Sequence, residues 1–302
     1  MSLKRKSNKI GRTKGDTLLD IITSFLLVLI IIIVGYPVIY VISSSFSSAV
    51  AIQAGRVLLW PVKFTLDGYK FVLQYRQVWL GYRNTLFYTV VGVLLSLFFK
   101  IVVAYPISRP RFHAKGLYTK LLIVTMLVNA GLIPTFLIKV GLGMFDTVWA
   151  VLLAGLIGAG NVFILRTAFK SSIPAELYDA AYIDGANEFQ VLFKIALPLA
   201  KATMSVLTLY AIVGCWNDYF TAMIYLRNEN LYPLALFLRT ILASARSIDT
   251  TGMESSMQDM ADQGAENIRY ALIIISTVPV LAAYGVVQKY FKGGVMMGSV
   301  KG

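Results

Sequence analysis

The chain has 302 residues, of which 57% are hydrophobic and only 14% charged, and its formal net charge is +13. An average globular chain is about one quarter charged, so these figures, with a mean hydropathy of +0.70, exclude a soluble domain. The basic surplus does not read as a nucleic-acid surface either, because it falls in the gaps between long apolar runs.

The elements follow in chain order. Lys4, Arg5, Lys6, Lys9, Arg12 and Lys14 make residues 1–17 a basic tail suited to lipid headgroups and to setting topology. Residues 21–42 then carry no charge, long enough at about 1.5 Å per residue to cross a hydrocarbon core of about 30 Å. A signal peptide would have a shorter apolar stretch and an A-x-A-like site after it, so this segment is expected to stay as a first helix, 18–42. Residues 43–83, with Trp60-Pro61 and an aromatic-rich 69–82, form an outer loop. Further spans are expected at 84–107 (Lys100 near one end), 121–138, 147–165, 202–226 and 270–288. Lipid offers the backbone no hydrogen-bond partners, so all six should be helices, with Pro37 and Pro279 loosening the first and last. Residues 139–146 read as a tight hairpin, and Ala150, Ala154 and Gly158 as a small-residue packing stripe in the fourth span. The outer loop 227–269 holds an apolar stretch, 231–245, too short to cross and so expected to be re-entrant or interfacial, then a polar segment, 247–263.

Arg109, Arg111, Lys115 and Lys120 crowd the link after the second span, and Arg166, Lys170, Lys194 and Lys201 lie between the fourth and fifth. The positive-inside rule makes that side the cytoplasm, with both termini inside. The cysteine Cys215 and the histidine His113 are each solitary, which leaves no disulfide framework and no metal or catalytic cluster.

The most informative segment is 171–200, polar-faced between two apolar runs. Ser171 and Ser172 stand where a helix cap is wanted, and Pro174 suits a first turn. Glu176 and Asp179 put negative charge early in that helix. Leu177, Ala180, Ala181 and Asp184 share a face at three- and four-residue spacing, and Gly185 permits a sharp turn. Phe189, Leu192, Phe193, Ile195 and Leu197 then give an apolar face back toward the membrane, and Pro198 is expected to end the segment. An amphipathic helix lying in headgroups would be rich in Lys and Arg. Here Glu176, Asp179, Asp184 and Glu188 outnumber Lys194, which favours a protein partner.

Asp179-Ala180-Ala181, then Gly185 after three residues, then Ile195-x-Leu197-Pro198 after nine, resembles the E-A-A-x3-G-x9-I-x-L-P coupling motif of ABC importer permeases, with Asp for the usual Glu. Trp216-Asn217-Asp218-Tyr219-Phe220 and the tail ending Val300-Lys301-Gly302 are similar to the carbohydrate-uptake branch of that family. The likeness covers nearly the whole chain and implies an all-α membrane protein of the type I importer permease fold. It further implies six transmembrane helices within 18–289, a cytoplasmic coupling helix and a cytoplasmic tail, 290–302. It implies Glu176, Tyr178, Asp179, Ala180, Ala181, Asp184, Gly185, Ile195, Leu197 and Pro198 at an ATPase contact, with Lys292, Gly298 and Lys301 near the same interface. The implied partners are a second, homologous permease forming a heterodimer, two ABC ATPases that bind ATP and Mg, and an extracytoplasmic solute-binding protein. The implied cargo is an oligosaccharide, and the place is the bacterial cytoplasmic membrane, in contact with lipid.

Trp216, Asn217, Asp218, Tyr219 and Phe220 combine flat apolar faces with polar groups, a lining for sugar rings, although they serve equally to tie helices together. No cofactor is expected on this chain: Gly293 to Gly298 has P-loop spacing but is followed by Ser299-Val300, without the lysine that holds phosphate. The other readings are an ABC permease for amino acid, peptide or anion, and an integral membrane enzyme built around Asp179, Asp184 and Glu188. The latter lacks a second cluster to complete a catalytic set.

Overall fold

The computed structural model describes residues 14–128, 130–171, 173–244 and 265–298. It is helical throughout, and among the described residues the only extended pairing is one bridge between Ser47 and Phe64. Helix α1, Lys14–Ser45, is apolar on every side and exposes its side chains from Leu18 to Val34. A helix apolar all round belongs in lipid or against a partner. It joins the rest near its end, where Tyr40 meets Tyr270 edge-on at 5.8 Å. Two short helices follow, α2 (Ala49–Gln53), capped by Ser48, and α3 (Asp67–Gln74).

Helix α4, Arg76–Ser108, is the axis of the molecule. At about 1.5 Å per residue it is roughly 50 Å long, and a separate apolar cluster packs on each end. Near its start, Val72 and Val78 bury against Leu234, Phe237, Ile268 and Leu272. Near its end, Tyr105 and Ile107 bury with Leu165, Phe169, Tyr178 and Val191. Gly81 sets the first approach: a Cβ there would sit 3.0 Å from the Leu234 Cα, so only glycine lets the two backbones meet. Hydrogen bonds seal that junction. Asn84 donates to the carbonyls of Asn230 (2.7 Å) and Tyr232 (3.0 Å), Tyr88 donates to Leu231 (2.9 Å), and the Thr85 hydroxyl accepts from the Leu234 amide (2.8 Å).

The remaining helices are α5 (Lys115–Leu127), α6 (Leu132–Gly141), α7 (Val148–Leu152), α8 (Ala159–Ser171), α9 (Ala175–Ile183) and α10 (Glu188–Val191). A π turn, Leu192–Ala196, leads into α11 (Leu197–Leu199), then come α12 (Lys201–Asn217), α13 (Phe220–Tyr225), α14 (Leu234–Ser244) and α15 (Ala265–Gly298). Among the described residues, three helices suffice by length and composition to cross a membrane, at 15–45, 76–108 and 266–286, and five do if each of two bent pairs is one span.

Several sequence expectations change here. Residues 121–138 are not one helix: α5 and α6 meet at 118°, and Gly131 between them has φ +81°. Residues 147–165 break into α7 and α8 around Gly155, φ +66°, so Ala150, Ala154 and Gly158 do not form a stripe on one helix. Residues 202–226 break at Asp218, whose extended ψ of 91° ends α12 and whose carboxylate accepts from the Thr221 amide at 3.0 Å to start α13. The second span starts at Arg76, well before residue 84, because 76–83 pack into the first apolar cluster. The helix expected within 231–245 is α14. Segment 247–263 lies outside the described residues, and α15 runs on through 290–298 as helix.

Candidate functional site

The elbow at 171–200 is built from two helical pieces and a turn. Ser171 closes α8, Ser172 lies outside the described residues, and α9 opens after Pro174 with no side-chain cap, so the expected serine cap at Ser171 is not made. Gly185 carries the reversal with φ +77°, in the left-handed region that favours glycine. Asn187 then restarts the helix through a reciprocal capping box with Gln190, both bonds 2.9 Å. Pro198 does not end the segment. The π turn just before it shifts the carbonyl register that a proline ring would strike, and the chain bends only at Ala200, by 78°, into α12.

The elbow has two faces. Tyr178 and Ala181 of α9 are buried with Val191 and Ala196, while Glu176, Leu177, Asp179, Ala180 and Asp184 are exposed. Ile183 is 86% exposed and Phe189 74% exposed, so the outer face carries bare apolar groups among its acids. The expected common face of Leu177, Ala180, Ala181 and Asp184 is thus divided, with Ala181 turned inward. Phe189 and Phe193 point outward too, leaving Leu192, Ile195 and Leu197 half-buried and Pro198 exposed.

A clamp from α4 fixes the inner face. Arg109, just past the end of α4, is 8% exposed and its guanidinium carbon lies 3.3 Å from the Tyr178 ring centre. Its Nη2 donates to the Tyr182 hydroxyl at 3.0 Å, and that hydroxyl donates to Glu188 Oε1 at 2.6 Å. Tyr105 donates to Glu188 Oε2 at 2.8 Å, and Arg111 lies 4.3 Å over the Tyr182 ring. Burial pushes the Glu188 carboxyl up, but the two phenol hydroxyls and the two guanidiniums outweigh it and hold the group below the ordinary carboxylate value. The end of α4, α9 and α10 therefore form one cation-aromatic-carboxylate unit, able to pass a push on the elbow directly into α4. An apolar groove of about 400 Å³ runs beside it, between Ile101, Phe112 and Leu192.

A second cavity, of about 270 Å³, lies between α4, the α7–α8 link and α12. Ser96, Lys100, Asn161, Tyr210, Cys215 and Asp218 supply its polar groups. Of the five residues expected to line a cargo path, Asp218 alone lines this cavity. Trp216 turns away, buried, and donates from Nε1 to the Ser276 carbonyl at 3.0 Å. Asn217 donates to Val213 of its own helix at 3.0 Å, Tyr219 faces the Arg239 guanidinium at 4.7 Å, and Phe220 is exposed. Lys292 and Gly298 fall in the last turns of α15, and Lys301 lies outside the described residues. Among the described residues no group of three or more His, Cys, Asp or Glu is placed to hold a metal. Sequence reasoning missed Arg109, Tyr105 and Tyr182 as a clamp, Ile183 as an exposed tip, and Lys100 as a buried group. Only Ile183, an isoleucine between Tyr182 and Asp184 in a polar stretch, carried a local signal.

Residues 12–296 match the family described as binding-protein-dependent transport system inner membrane component. The chain is 35% identical to the polygalacturonan/rhamnogalacturonan transport system permease protein YtcP of Bacillus subtilis, over 93% of this chain and 97% of that protein. It is also 35% identical to protein LplC of the same organism, over 88% and 89%. Among solved structures, a chain of a bacterial ABC transporter involved in the import of the acidic polysaccharide alginate superposes with TM-score 0.84 at 36% identity, covering 93% of this chain and 99% of that one.

Proposed function

Because the chain belongs to the family of binding-protein-dependent transport system inner membrane components, we propose that it is a permease subunit of an ABC importer for an oligosaccharide, moving cargo by alternating access rather than by chemistry of its own. The observation that supports this most is the elbow: an exposed acidic and apolar face, with Ile183 at its tip, mounted rigidly on the end of α4 by Arg109. A loose surface helix has no need of such a mount.

In this reading the bent pairs and the α7–α8 region complete six crossings around α1, α4 and α15, with both termini in the cytoplasm of a bacterium. Two ABC ATPases, which bind ATP and Mg, grip the elbow of this chain and that of a second, homologous permease. Glu176, Asp179, Ala180, Ile183 and Asp184 meet the ATPase groove, Tyr178 and Ala181 pack behind them, and Gly185 sets the angle. The last turns of α15, near Lys292 and Gly298, approach the same interface. When nucleotide draws the ATPases together, the clamp carries the motion into α4 as a rigid-body rotation of the bundle about the midplane. An extracytoplasmic solute-binding protein delivers the sugar. Likeness to an importer of an acidic polysaccharide favours a charged cargo as a refinement of this reading.

The test is reconstitution in vesicles with the candidate partner permease, ATPase and binding protein. ATP-dependent oligosaccharide uptake that needs all components is expected. Solute movement by this chain alone, or purification without any nucleotide-hydrolysing companion, would contradict the reading.

A further inference from the structure

Lys100 is 3% exposed, on α4, and lines the cavity between α4, the α7–α8 link and α12. A lysine near the end of a membrane helix ordinarily extends its stem to the headgroups, and burial inside the bundle excludes that here. Among the described residues it has no hydrogen bond and no carboxylate within ion-pair distance. Asp218 lines the same cavity but spends one oxygen on the Thr221 amide at 3.0 Å. The other titratable side chains on the wall, Tyr88, Tyr210 and Cys215, bring no carboxylate to it. A buried cation without a partner in a membrane protein is costly to keep and is a candidate functional group by default. The rest of the wall supplies hydroxyl and amide groups from Ser96, Tyr210 and Asn161, suited to sugar hydroxyls. The cavity also has an open flank, where Tyr210 and Gly214 are exposed.

We propose that this cavity is a cargo subsite in which Lys100 pairs with a carboxylate, so that the transported oligosaccharide carries uronic acid units. The ammonium supplies the missing counter-ion to the sugar acid, and the neutral polar groups around it take the ring hydroxyls. Asp218, on the same wall but not ion-paired with Lys100, accepts from hydroxyls and repels a second carboxylate, which fixes the orientation of the acid. This inference rests on the oligosaccharide reading above.

The experiment uses the complete complex in vesicles with its binding protein. It measures uptake of a galacturonate trisaccharide and of the same sugar with its carboxyls reduced to alcohols, by the wild-type chain, Lys100→Met and Lys100→Arg. Lys100→Met is expected to lower the uronide-to-neutral uptake ratio by about tenfold or more, and Lys100→Arg to keep it within about threefold, because loss of one partner of a buried charge pair is expensive. An unchanged ratio in Lys100→Met, whatever the absolute rate, overturns the proposal, since a purely structural lysine would slow both sugars alike. If no form carries the reduced sugar, uronide uptake is read alone: retention in Arg with loss in Met supports it, and equal behaviour of the two overturns it. A wild-type chain that imports only the neutral sugar overturns the acid subsite and leaves the oligosaccharide reading intact. Import of neither, nor of any other oligosaccharide, sinks the parent reading and the subsite with it.

Discussion

The two ends of one stretch of α4 treat charge in opposite ways. Lys100 and Ser108 lie roughly 12 Å apart at the helical rise, yet Arg109, just beyond, has an aromatic face and a phenol as partners, while Lys100 has none among the described residues. A charge whose partners are built into the chain holds elements together. A charge left open toward a cavity waits for something that arrives from outside. On this view the elbow is a mechanical joint and the cavity a reading site.

The largest effect should come from the joint. Arg109→Ala removes a desolvated cation-π contact, about 2 kcal/mol, and a charged hydrogen bond to Tyr182, about 1.5–3 kcal/mol. ATP-driven uptake in vesicles should fall on the order of 100-fold while the chain still inserts, and Arg109→Lys, which keeps the charge but not the planar fork, should fall between. Equal uptake by all three would dissolve the clamp. Gly185→Val comes next, costing about 1–2 kcal/mol for a side chain in the left-handed region, with open space around it. It should reduce the amount of ATPase that co-purifies without lowering the yield of inserted protein.

Trp216→Phe sharpens the other side of the comparison. It loses the bond to the Ser276 carbonyl and should cost about 1 kcal/mol in thermal stability, with cargo affinity unchanged. A drop in affinity at unchanged stability would return Trp216 to the cargo path. The smallest effect concerns pH. Because Glu188 is held below the ordinary carboxylate value of about 4.3 by Tyr182, Tyr105 and the two arginines, its stabilisation is complete above that value and lost as pH falls through the lowered one. The melting-temperature gap between wild type and Glu188→Gln should therefore stay flat from neutral pH down to about 5 and shrink only below about 4.

How much of this was legible in the sequence follows from range. The apolar runs, Gly185 and the acidic start of α9 announced themselves, because hydropathy and turn chemistry are local. The broken spans did not: in lipid, an apolar stretch reads the same whether it is one helix or two, and only Gly131, Gly155 and Asp218 mark the interruptions. The clamp joins Arg109 to residues some seventy positions away, which no spacing rule in a single chain reveals. Trp216-Asn217-Asp218-Tyr219-Phe220 looked like one lining because the residues are adjacent. Adjacent residues on a helix point in different directions, and a break at Asp218 scatters them further.

The most direct test of the joint is the sidedness and contact of its tip. In a Cys215→Ala, Ile183→Cys chain the only thiol sits on the exposed apex of the elbow. In membranes carrying the whole complex, that thiol should cross-link to the ATPase subunit and resist an impermeant reagent applied from outside. Labelling from the outside, or a thiol that never cross-links to the ATPase, would contradict the account.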